Sequence, residues 1–522
     1  MAPRRHPARS LGEHVIEALR RRGVRHVFGV PGDFILGLFK IGADRGMTMV
    51  NSTREEAAVY AADGYARERG LGAAAVTFGV GALAGAAALG GSNAERVPVV
   101  LIAGAPGLGE RDGRRLHHTP GDDIDAPRRA LAQVVGETLV LDDLETALED
   151  LECALDRCTR DHRPLYLELP RDLLDERPAA RRRRTAALHR AASPERIAVG
   201  DKVLALARAA GRARRRVGHG QGRRRRAPPP GGRVYSGASS DDGVRRMVER
   251  ADLVLELGVD INDINTGAFT LGVREERRIL ADHTGLRVGF HDYPGVTLDD
   301  LVDGLERRPL RRRRPPARLP SAWAGGRGEG ARVTCDIVAE RLQEFLRPSD
   351  ILVSDVGVAA HLLMDVRLAR ARQLHIARLY VAMGFSVPAA TGARLARGRG
   401  RPIVLVGDGS FQMTGMDLST AVAHGLDPIV LVLDNHGYGA ERAIVDGPFN
   451  DVARWDYTLA AATVGAEGRR VATPQELDDA LAEAREGAGR AWLLWIDLDA
   501  HDVPRALRAL GEGLEHLMHA TH

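Results

Sequence analysis

Residues 401–437 read RPIVLVGDGSFQMTGMDLSTAVAHGLDPIVLVLDNHG, and this stretch decides the fold. Two apolar runs rich in β-branched residues, 403–406 and 429–433, flank a segment that is compatible with a helix. Neither run alternates with polar residues, which is typical of parallel strands buried on both faces. The stretch therefore predicts strand, loop, helix and strand, with both loops at the carboxyl edge of one sheet, where open α/β sheets bind ligands.

Polar residues follow both predicted strands. Asp408 lies between Gly407 and Gly409, and Asn435 follows the second run. A carboxylate and an amide oxygen suit Mg²⁺ or Ca²⁺ better than zinc. The glycines let backbone amides approach an anion, and the start of the next helix adds partial positive charge. A metal-bridged diphosphate fits this edge, although a Gly-Asp-Gly turn alone would also suit an ordinary βαβ crossover.

Composition indicates a soluble globular protein. The chain has 522 residues, of which 44% are hydrophobic and 28% charged, enough for about two to four domains. No apolar run is long enough to span a bilayer, and residues 1–10 lack the apolar segment of a secretory signal, so we expect a cytoplasmic protein. The three cysteines suggest neither a zinc site nor a disulfide framework. A net charge of only +4 argues against a nucleic-acid partner.

The order of predicted elements divides the chain into three parts. Repeated β and α segments predict a doubly wound parallel sheet over residues 1–185, and the same alternation resumes over 331–522. Residues 186–330 differ, because segments 212–233 and 311–320 are rich in Arg and Pro and almost free of apolar residues. Such segments are expected to be loops or disordered. We therefore predict an α/β protein in which two similar domains flank a shortened α/β middle domain.

Several motifs together resemble a known family, the thiamine diphosphate-dependent 2-oxo acid decarboxylases, and within it the pyruvate and indolepyruvate decarboxylases. The resemblance covers nearly the whole chain except the Arg-rich middle. It rests on the following pieces: VPGD (30–33), EEAAVYAADGYAR (55–67), LHHT (116–119), GDGS (407–410) and DNHGYGAE (434–441). It implies the three-domain architecture of these enzymes, with a pyrimidine-binding first domain and a diphosphate-binding last domain.

The resemblance also implies a set of cofactor ligands. Asp408, Asn435 and the backbone carbonyl of Gly437 match the groups that hold Mg²⁺ against the diphosphate. Glu55 matches the glutamate that hydrogen-bonds the aminopyrimidine, and Met383 matches the bulky residue that keeps the cofactor bent. Further cofactor contacts are implied for Val381, Gly357, Gly407, Gly409, Ser410 and Tyr438.

An acid–base set is implied as well, comprising Asp33, His117, His118 and Glu441. Taken singly, Asp33 suits a turn after Pro-Gly and Glu441 a surface helix. Decarboxylation to an aldehyde needs one group that delivers a proton and another that removes one, and a crowd of carboxylates and imidazoles provides both. Their joint occurrence favours a decarboxylase over another thiamine enzyme.

Small side chains near the expected pocket predict a bulky substrate. Ala440 occupies a position where enzymes specific for pyruvate carry a branched aliphatic residue, and Ala359 with Ala360 is expected near the pocket wall. The extra volume would admit an aromatic or long-chain 2-oxo acid such as indolepyruvate or phenylpyruvate.

Two other functions stay open, and the resemblance also implies an assembly. One alternative is a carboligase of the acetolactate synthase type, and the other is a catalytically impaired homologue. In the family the pyrimidine and diphosphate ends of the cofactor meet across a subunit interface. We therefore expect a homodimer or a homotetramer.

Overall fold

The protein was examined as a computed structural model. It describes residues 9–111, 116–179, 234–240, 242–259, 261–263, 265–267, 269–282, 285–307, 332–368 and 373–508. The Arg-rich segments 212–233 and 311–320 lie outside these residues.

The first unit is a six-stranded parallel sheet with the strand order β2-β1-β3-β4-β6-β5. Its strands are β1 (His26–Gly29), β2 (Thr48–Asn51), β3 (Gly72–Thr77), β4 (Val99–Ala105), β5 (Thr138–Val140) and β6 (Leu165–Pro170). Its helices are α1 (Leu11–Arg21), α2 (Leu36–Asp44), α3 (Glu55–Arg69), α4 (Val80–Ala84), α5 (Ala86–Ala94), α6 (Ala126–Val135) and α7 (Ala147–Asp161).

The middle unit is smaller and its sheet is mixed. Four strands lie in the order β10-β9-β8-β7, with one parallel and two antiparallel pairs. They are β7 (Val254–Leu257), β8 (Arg278–Ala281), β9 (Gly285–Val288) and β10 (His291–Pro294), accompanied by α8 (Asp242–Glu249) and α9 (Leu298–Arg307).

The last unit is again a six-stranded parallel sheet, with the order β12-β11-β13-β14-β16-β15. The strands are β11 (Ile351–Ser354), β12 (Leu374–Ile376), β13 (Pro402–Gly407), β14 (Ile429–Asp434), β15 (Glu467–Val471) and β16 (Trp492–Asp497). The helices are α10 (Cys335–Phe345), α11 (Val358–Leu362), α12 (Ser386–Arg397), α13 (Asp408–Thr414), α14 (Leu418–Ala423), α15 (Gly439–Arg442), α16 (Tyr457–Thr463) and α17 (Pro474–Glu486).

The predicted α/β class is confirmed, and the two large sheets share one topology. Counting each from its own first strand, both follow the order 2-1-3-4-6-5. Central strands such as β3, β4 and β14 are buried along their whole length, as their unbroken apolar sequence predicts. Both units therefore present the loops after their central strands at a carboxyl edge.

Helices α3 and α12 pack the first unit against the last. Their backbones approach closely where each carries a glycine: a Cβ on Gly64 would lie 2.1 Å from the carbonyl oxygen of Ala389, and one on Gly392 would lie 1.8 Å from that of Ala61. A single apolar core runs through both units at this contact. Among the described residues, no helix is both long and apolar enough to cross a membrane.

Candidate active site

Asp408 begins α13 directly after β13, and its carboxylate is only partly satisfied. The side chain is buried, and Oδ1 accepts the N–H of Gly409 at 2.8 Å. Its Oδ2 and the amide nitrogen of the buried Asn435 have no hydrogen-bond partner among the described residues. Buried polar atoms without partners are costly and rare. The unpartnered carboxylate oxygen of Asp408, at the end of β13, fits a cation that takes oxygen ligands.

The electrostatics of this edge point the same way. Burial and the neighbouring charge of Asp434 raise the pKa of Asp408 well above its usual range. Asp434 is itself fixed, because its Oδ2 accepts the indole N–H of Trp495 at 2.7 Å and its Oδ1 accepts the backbone N–H of His436 at 3.1 Å. A bound divalent cation would relieve the repulsion between the two carboxylates.

At two positions of this edge, neighbouring groups of the chain leave no space for any side chain other than that of glycine, and at a third the space is open. A Cβ on Gly409 would lie 2.5 Å from the ring of Tyr438, so only glycine lets this helix start lie against the ring. A Cβ on Gly437 would lie 2.1 Å from the carbonyl oxygen of Asn450. Gly407 is the N-cap of α13, and its side of the turn has no neighbour within 4 Å of such an atom. The residues at this edge thus fit the diphosphate of thiamine diphosphate and its Mg²⁺ ion, which the resemblance implies.

Arg442 holds the loop after β14 in place, a role that the sequence reasoning missed. Its guanidinium donates to the backbone carbonyl of Asn435 at 2.8 Å, to that of His436 at 2.9 Å and to the carboxylate of Asp451 at 2.6 Å. The side chain is 7% exposed. The signal available in the sequence was its place in the turn of helix that carries Glu441.

A second missed residue is Asp355, which follows β11 and is fully buried. Its carboxylate accepts the backbone N–H of Gly384 at 3.2 Å and the backbone N–H and hydroxyl of Ser386 at 3.0 and 2.9 Å. These bonds hold the segment that carries Met383 beside the carboxyl edge. The available signal was an acidic residue directly after a buried strand.

The remaining predicted cofactor contacts lie around this edge. Met383 is half-buried, and Val381 is exposed with a positive φ of 58°. Gly357 begins α11 with a φ of 68° and lies opposite Ala440. Ser410 is buried in the first turn of α13.

The carboxyl edge of the first unit carries a cluster of one carboxylate and two imidazoles. His117 Nε2 lies 2.7 Å from Asp33 Oδ2, and His118 Nε2 lies 3.4 Å from Asp33 Oδ1. The ring of His117 stacks on that of Phe34 with centroids 4.9 Å apart. Burial works against ionisation of Asp33, but its bond to His117 and the charges of both histidines lower its pKa. The cluster can hold and move a proton.

The loop after β3 connects Glu55 to this cluster. A Cβ on Gly79, whose φ is 63°, would lie 1.8 Å from the carbonyl oxygen of His118. Two residues further on, a Cβ on Gly81 would lie 3.4 Å from Oε1 of Glu55. Glu55 is half-buried at the start of α3. The structure therefore gathers four of the predicted residues, Asp33, Glu55, His117 and His118, around one edge.

Glu441 lies on the last unit, apart from those four. It is exposed on the short helix α15, directly after the loop that carries Asn435 and Gly437. Within the described part of the chain its carboxylate forms no ion pair with His117 or His118. The predicted acid–base set is thus divided between the two carboxyl edges.

The small residues predicted near the substrate pocket differ in their surroundings. Ala440 is half-buried on α15, and Ala360 is half-buried on α11. Ala359 is fully buried and belongs to the apolar core of the last unit.

Family models match both ends of the chain. Residues 9–127 match the thiamine pyrophosphate enzyme N-terminal TPP binding domain, and residues 355–493 match the C-terminal TPP binding domain. The two matches contain the carboxyl edges of the first and last units, with all of the predicted site residues.

Similar proteins extend the match over most of the chain. An indole-3-pyruvate decarboxylase of Azospirillum brasilense is 31% identical over 93% of this chain and 94% of its own length. A pyruvate decarboxylase of Aspergillus fumigatus is 30% identical over 96% of each chain, and an alpha-keto-acid decarboxylase of Mycobacterium leprae is 30% identical over 98% of this chain and 96% of its own.

A solved structure has the same fold. The thiamine diphosphate-dependent 4-hydroxybenzoylformate decarboxylase of Rhodococcus jostii RHA1 superposes with a TM-score of 0.70 at 20% sequence identity, over 94% of this chain and 99% of that one. With both TPP binding domains matched and relatives similar over nearly the full length, the chain belongs to the thiamine pyrophosphate-dependent 2-oxo acid decarboxylase family.

Proposed function

We propose that this protein decarboxylates a bulky, aromatic 2-oxo acid to an aldehyde and CO₂, using thiamine diphosphate and Mg²⁺. The observation that carries the proposal is a division of groups between two carboxyl edges. One edge offers buried Asp408, whose Oδ2 has no hydrogen-bond partner among the described residues, next to buried Asn435. The other edge offers the hydrogen-bonded cluster of Asp33, His117 and His118. The first suits a metal and a diphosphate, and the second suits proton transfer.

The last unit would hold the diphosphate end of the cofactor. Asp408, Asn435 and the carbonyl of Gly437 would take Mg²⁺, a hard cation that prefers oxygen ligands. The N-terminal turn of α13, with Gly409 and Ser410, would face the diphosphate. Glu55 would hold the aminopyrimidine, and Met383 would support the bend of the cofactor. When bound, thiamine diphosphate supplies the carbon nucleophile and the electron sink for loss of CO₂.

Side chains of the protein itself would transfer the protons. The imidazoles of His117 and His118, bonded to Asp33, would deliver the proton that replaces CO₂ on the aldehyde carbon. Glu441, exposed at the mouth of the other edge, would remove the hydroxyl proton as the aldehyde leaves. General acid–base groups of this kind contribute about 10²–10⁴-fold to rate.

The substrate proposal rests on the small side chains beside the metal loop. Ala440 lies close to Gly357: a Cβ added to that glycine would be 4.0 Å from the Ala440 methyl, which is van der Waals contact. A branched side chain at position 440 would crowd Gly357 further, so a phenyl or indole ring would have more room beside alanine.

A homodimer or a homotetramer would complete the site. Because the two halves of the acid–base set lie on different units, a second copy would bring one edge against the other.

We place the domain boundaries near residues 185 and 330, in keeping with three sheets whose described strands end at Pro170 and begin again at Val254 and Ile351.

A panel of 2-oxo acids tests the function directly. Pyruvate, phenylpyruvate and indolepyruvate are incubated with the protein, thiamine diphosphate and Mg²⁺, and CO₂, aldehyde and condensed hydroxyketone are quantified. The proposal expects aldehyde equal to CO₂ and a higher kcat/KM for phenylpyruvate than for pyruvate. Hydroxyketone as the main product would indicate the carboligase, and no product together with no thermal shift would indicate an impaired homologue.

A further inference from the structure

We propose that Asp33, His117 and His118 form a second metal site, which binds Zn²⁺ and related transition-metal ions and thereby inhibits the enzyme. One carboxylate oxygen and two imidazole nitrogens all lie within 4.8 Å of one another. A tetrahedral ion with bonds of about 2 Å separates its ligand atoms by about 3.3 Å. Nε2 of His117 lies 2.7 Å from Oδ2 of Asp33 and Nε2 of His118 lies 3.4 Å from Oδ1, so each imidazole nitrogen already lies about one such separation from an oxygen of the same carboxylate.

The ligand types select the metal. Two imidazoles and one carboxylate are typical of zinc and of first-row transition metals, whereas Mg²⁺ prefers oxygen ligands. The protein thus presents two different sites, an oxygen site at Asp408 and Asn435 and a nitrogen-rich site on the first unit.

Access and support favour binding. The side chains of Asp33, His117 and His118 are 42%, 58% and 32% exposed, so an ion can enter and keep open positions for water or a substrate carboxylate. The stack of His117 on Phe34 and the edge-on contact of the His118 ring with the same phenyl ring restrict both imidazoles before the ion arrives. Burial works against ionisation of Asp33, but its histidine partners lower its pKa overall. The carboxylate is therefore ionised at neutral pH.

Inhibition follows from what the ion occupies. A metal takes the Nε2 lone pair of each imidazole, and neither ring can then accept and return a proton there. Metal binding needs neutral imidazoles, so the affinity falls as the pH is lowered. This inhibitory effect rests on the proposed function, whereas metal binding by the three side chains does not.

The binding experiment uses Co²⁺ as a spectroscopic probe and Zn²⁺ as its competitor. Protein saturated with thiamine diphosphate and excess Mg²⁺ is titrated with Co²⁺, its d–d absorption is recorded, and bound Zn²⁺ is counted after displacement. We expect one site per chain with the strong bands of four- or five-coordinate Co²⁺. Asp33→Asn, His117→Gln and His118→Gln should each weaken binding at least about 10-fold. His501→Gln, which replaces an exposed histidine elsewhere, should bind as the wild type does.

Circular dichroism and thermal midpoints establish that the variants are folded. The inference is overturned if folded triad variants bind Zn²⁺ as tightly as the wild type, or if the wild type binds none. Repeating the titration without cofactor keeps the result independent of the enzyme's activity.

The inhibition experiment distinguishes the two metal sites. Zn²⁺ should abolish CO₂ release, a zinc-selective chelator should restore it, and raising Mg²⁺ 100-fold should not. Relief by Mg²⁺ alone would show that Zn²⁺ acts at Asp408 and would overturn the assignment. A protein that binds one Zn²⁺ at the triad but decarboxylates no 2-oxo acid would refute the proposed function while confirming the metal site.

Discussion

The first and last units of this protein share a strand order but carry different residues in the loops at their carboxyl edges. Both are six-stranded parallel sheets with equivalent strand orders, yet corresponding loops carry different chemistry. After β3 the chain has Gly79 and Gly81, which make room for His118 and Glu55. After the equivalent strand β13 it has Asp408 and Gly409, at the start of a helix. The scaffold fixes where the loops lie, and the loop residues determine what they do.

The difference also extends to what each edge lacks. In the last unit, Oδ2 of the buried Asp408 has no hydrogen-bond partner in the part of the chain that the structure describes, whereas the first unit has a titratable cluster whose members bond to one another. We assign cation binding to the carboxyl edge of the last unit and proton transfer to that of the first. The predictions below separate these two roles.

Removal of the metal ligand should have the largest effect. Asp408→Ala deletes a carboxylate that the cation needs, so we expect cofactor binding to be abolished. In a thermal-shift titration, wild-type protein at about 100 times Kd gains about 2.7 kcal/mol, and the variant should gain nothing. Asp479→Ala, which removes an exposed carboxylate on α17, is the matched control and should respond as the wild type does. Cofactor-induced stabilisation of the Asp408 variant would contradict the assignment.

Glu441→Gln should separate binding from turnover. The amide keeps the shape of the side chain but cannot accept a proton, so kcat should fall by about 10²–10⁴-fold while the Kd for thiamine diphosphate stays unchanged. Steady-state kinetics and isothermal titration check the two quantities. Retained turnover would show that proton removal belongs elsewhere, and Glu486→Gln controls for the loss of an exposed charge.

Glu68→Gln should weaken the contact that joins the two units. Glu68 lies at the end of α3, 2.7 Å from His375 Nε2, and its carboxylate is paired with Arg397. Burial lowers the pKa of His375, so the imidazole is neutral at pH 7 and Arg397 carries the positive charge. Breaking a buried pair costs about 3–5 kcal/mol. The midpoint of chemical unfolding should fall accordingly, whereas Asp44→Asn, in an exposed pair with Lys40, should cost less than about 1 kcal/mol.

The same pair predicts a pH dependence. Burial alone would raise the pKa of Glu68, but its bonds to His375 and Arg397 lower it to about 2, from an ordinary value of 4.5. The ionised group is therefore favoured in the folded state, and its contribution is complete above pH 4.5 and lost as the pH falls towards 2. The Glu68→Gln variant should lose this part of the acid sensitivity, and an unchanged acid transition would contradict the assignment.

The smallest effect is expected on substrate choice. Ala440→Ile fills space beside Gly357, so the ratio of kcat/KM for phenylpyruvate to that for pyruvate should fall by about 10–200-fold. Ala453→Ile, at an exposed position, is the control. An unchanged ratio of the two kcat/KM values would show that Ala440 does not line the substrate pocket.

The sequence predicts the central strands of this fold well and its edge strands poorly. Strand β14 follows from an apolar run that is buried throughout. The edge strand β15 has four exposed residues out of five, and the edge strand β5 has only three residues, all half-buried. The apolar residues of β5 are only Leu139 and Val140 and that of β15 is only Val471, so neither run is long enough to predict a strand. In the middle sheet, the apolar run at residues 251–258 predicts β7, whereas the short strands β8, β9 and β10 were not predicted.

The site is predictable where its residues lie in motifs. Asp408 and Asn435 follow from their place after two apolar runs, and Asp33 with the two histidines follows from a resemblance. Asp355 follows a buried strand as Asp408 does, and Arg442 follows Glu441, but the role of each rests on bonds to backbone groups that only the folded chain brings near. Supporting residues of this kind depend on tertiary contacts and leave little local pattern.

The central claim is that the two unlike edges, contributed by different copies of the chain, form one active site. Mixing two inactive variants tests it: Glu55→Gln in the first unit and Asp408→Ala in the last are unfolded together, refolded at equal amounts and assayed for CO₂ release from phenylpyruvate. Half of randomly formed dimers contain both chains and have one intact site of two, so we predict roughly a quarter of wild-type activity. No activity in a mixture that contains folded heterodimers would contradict the claim.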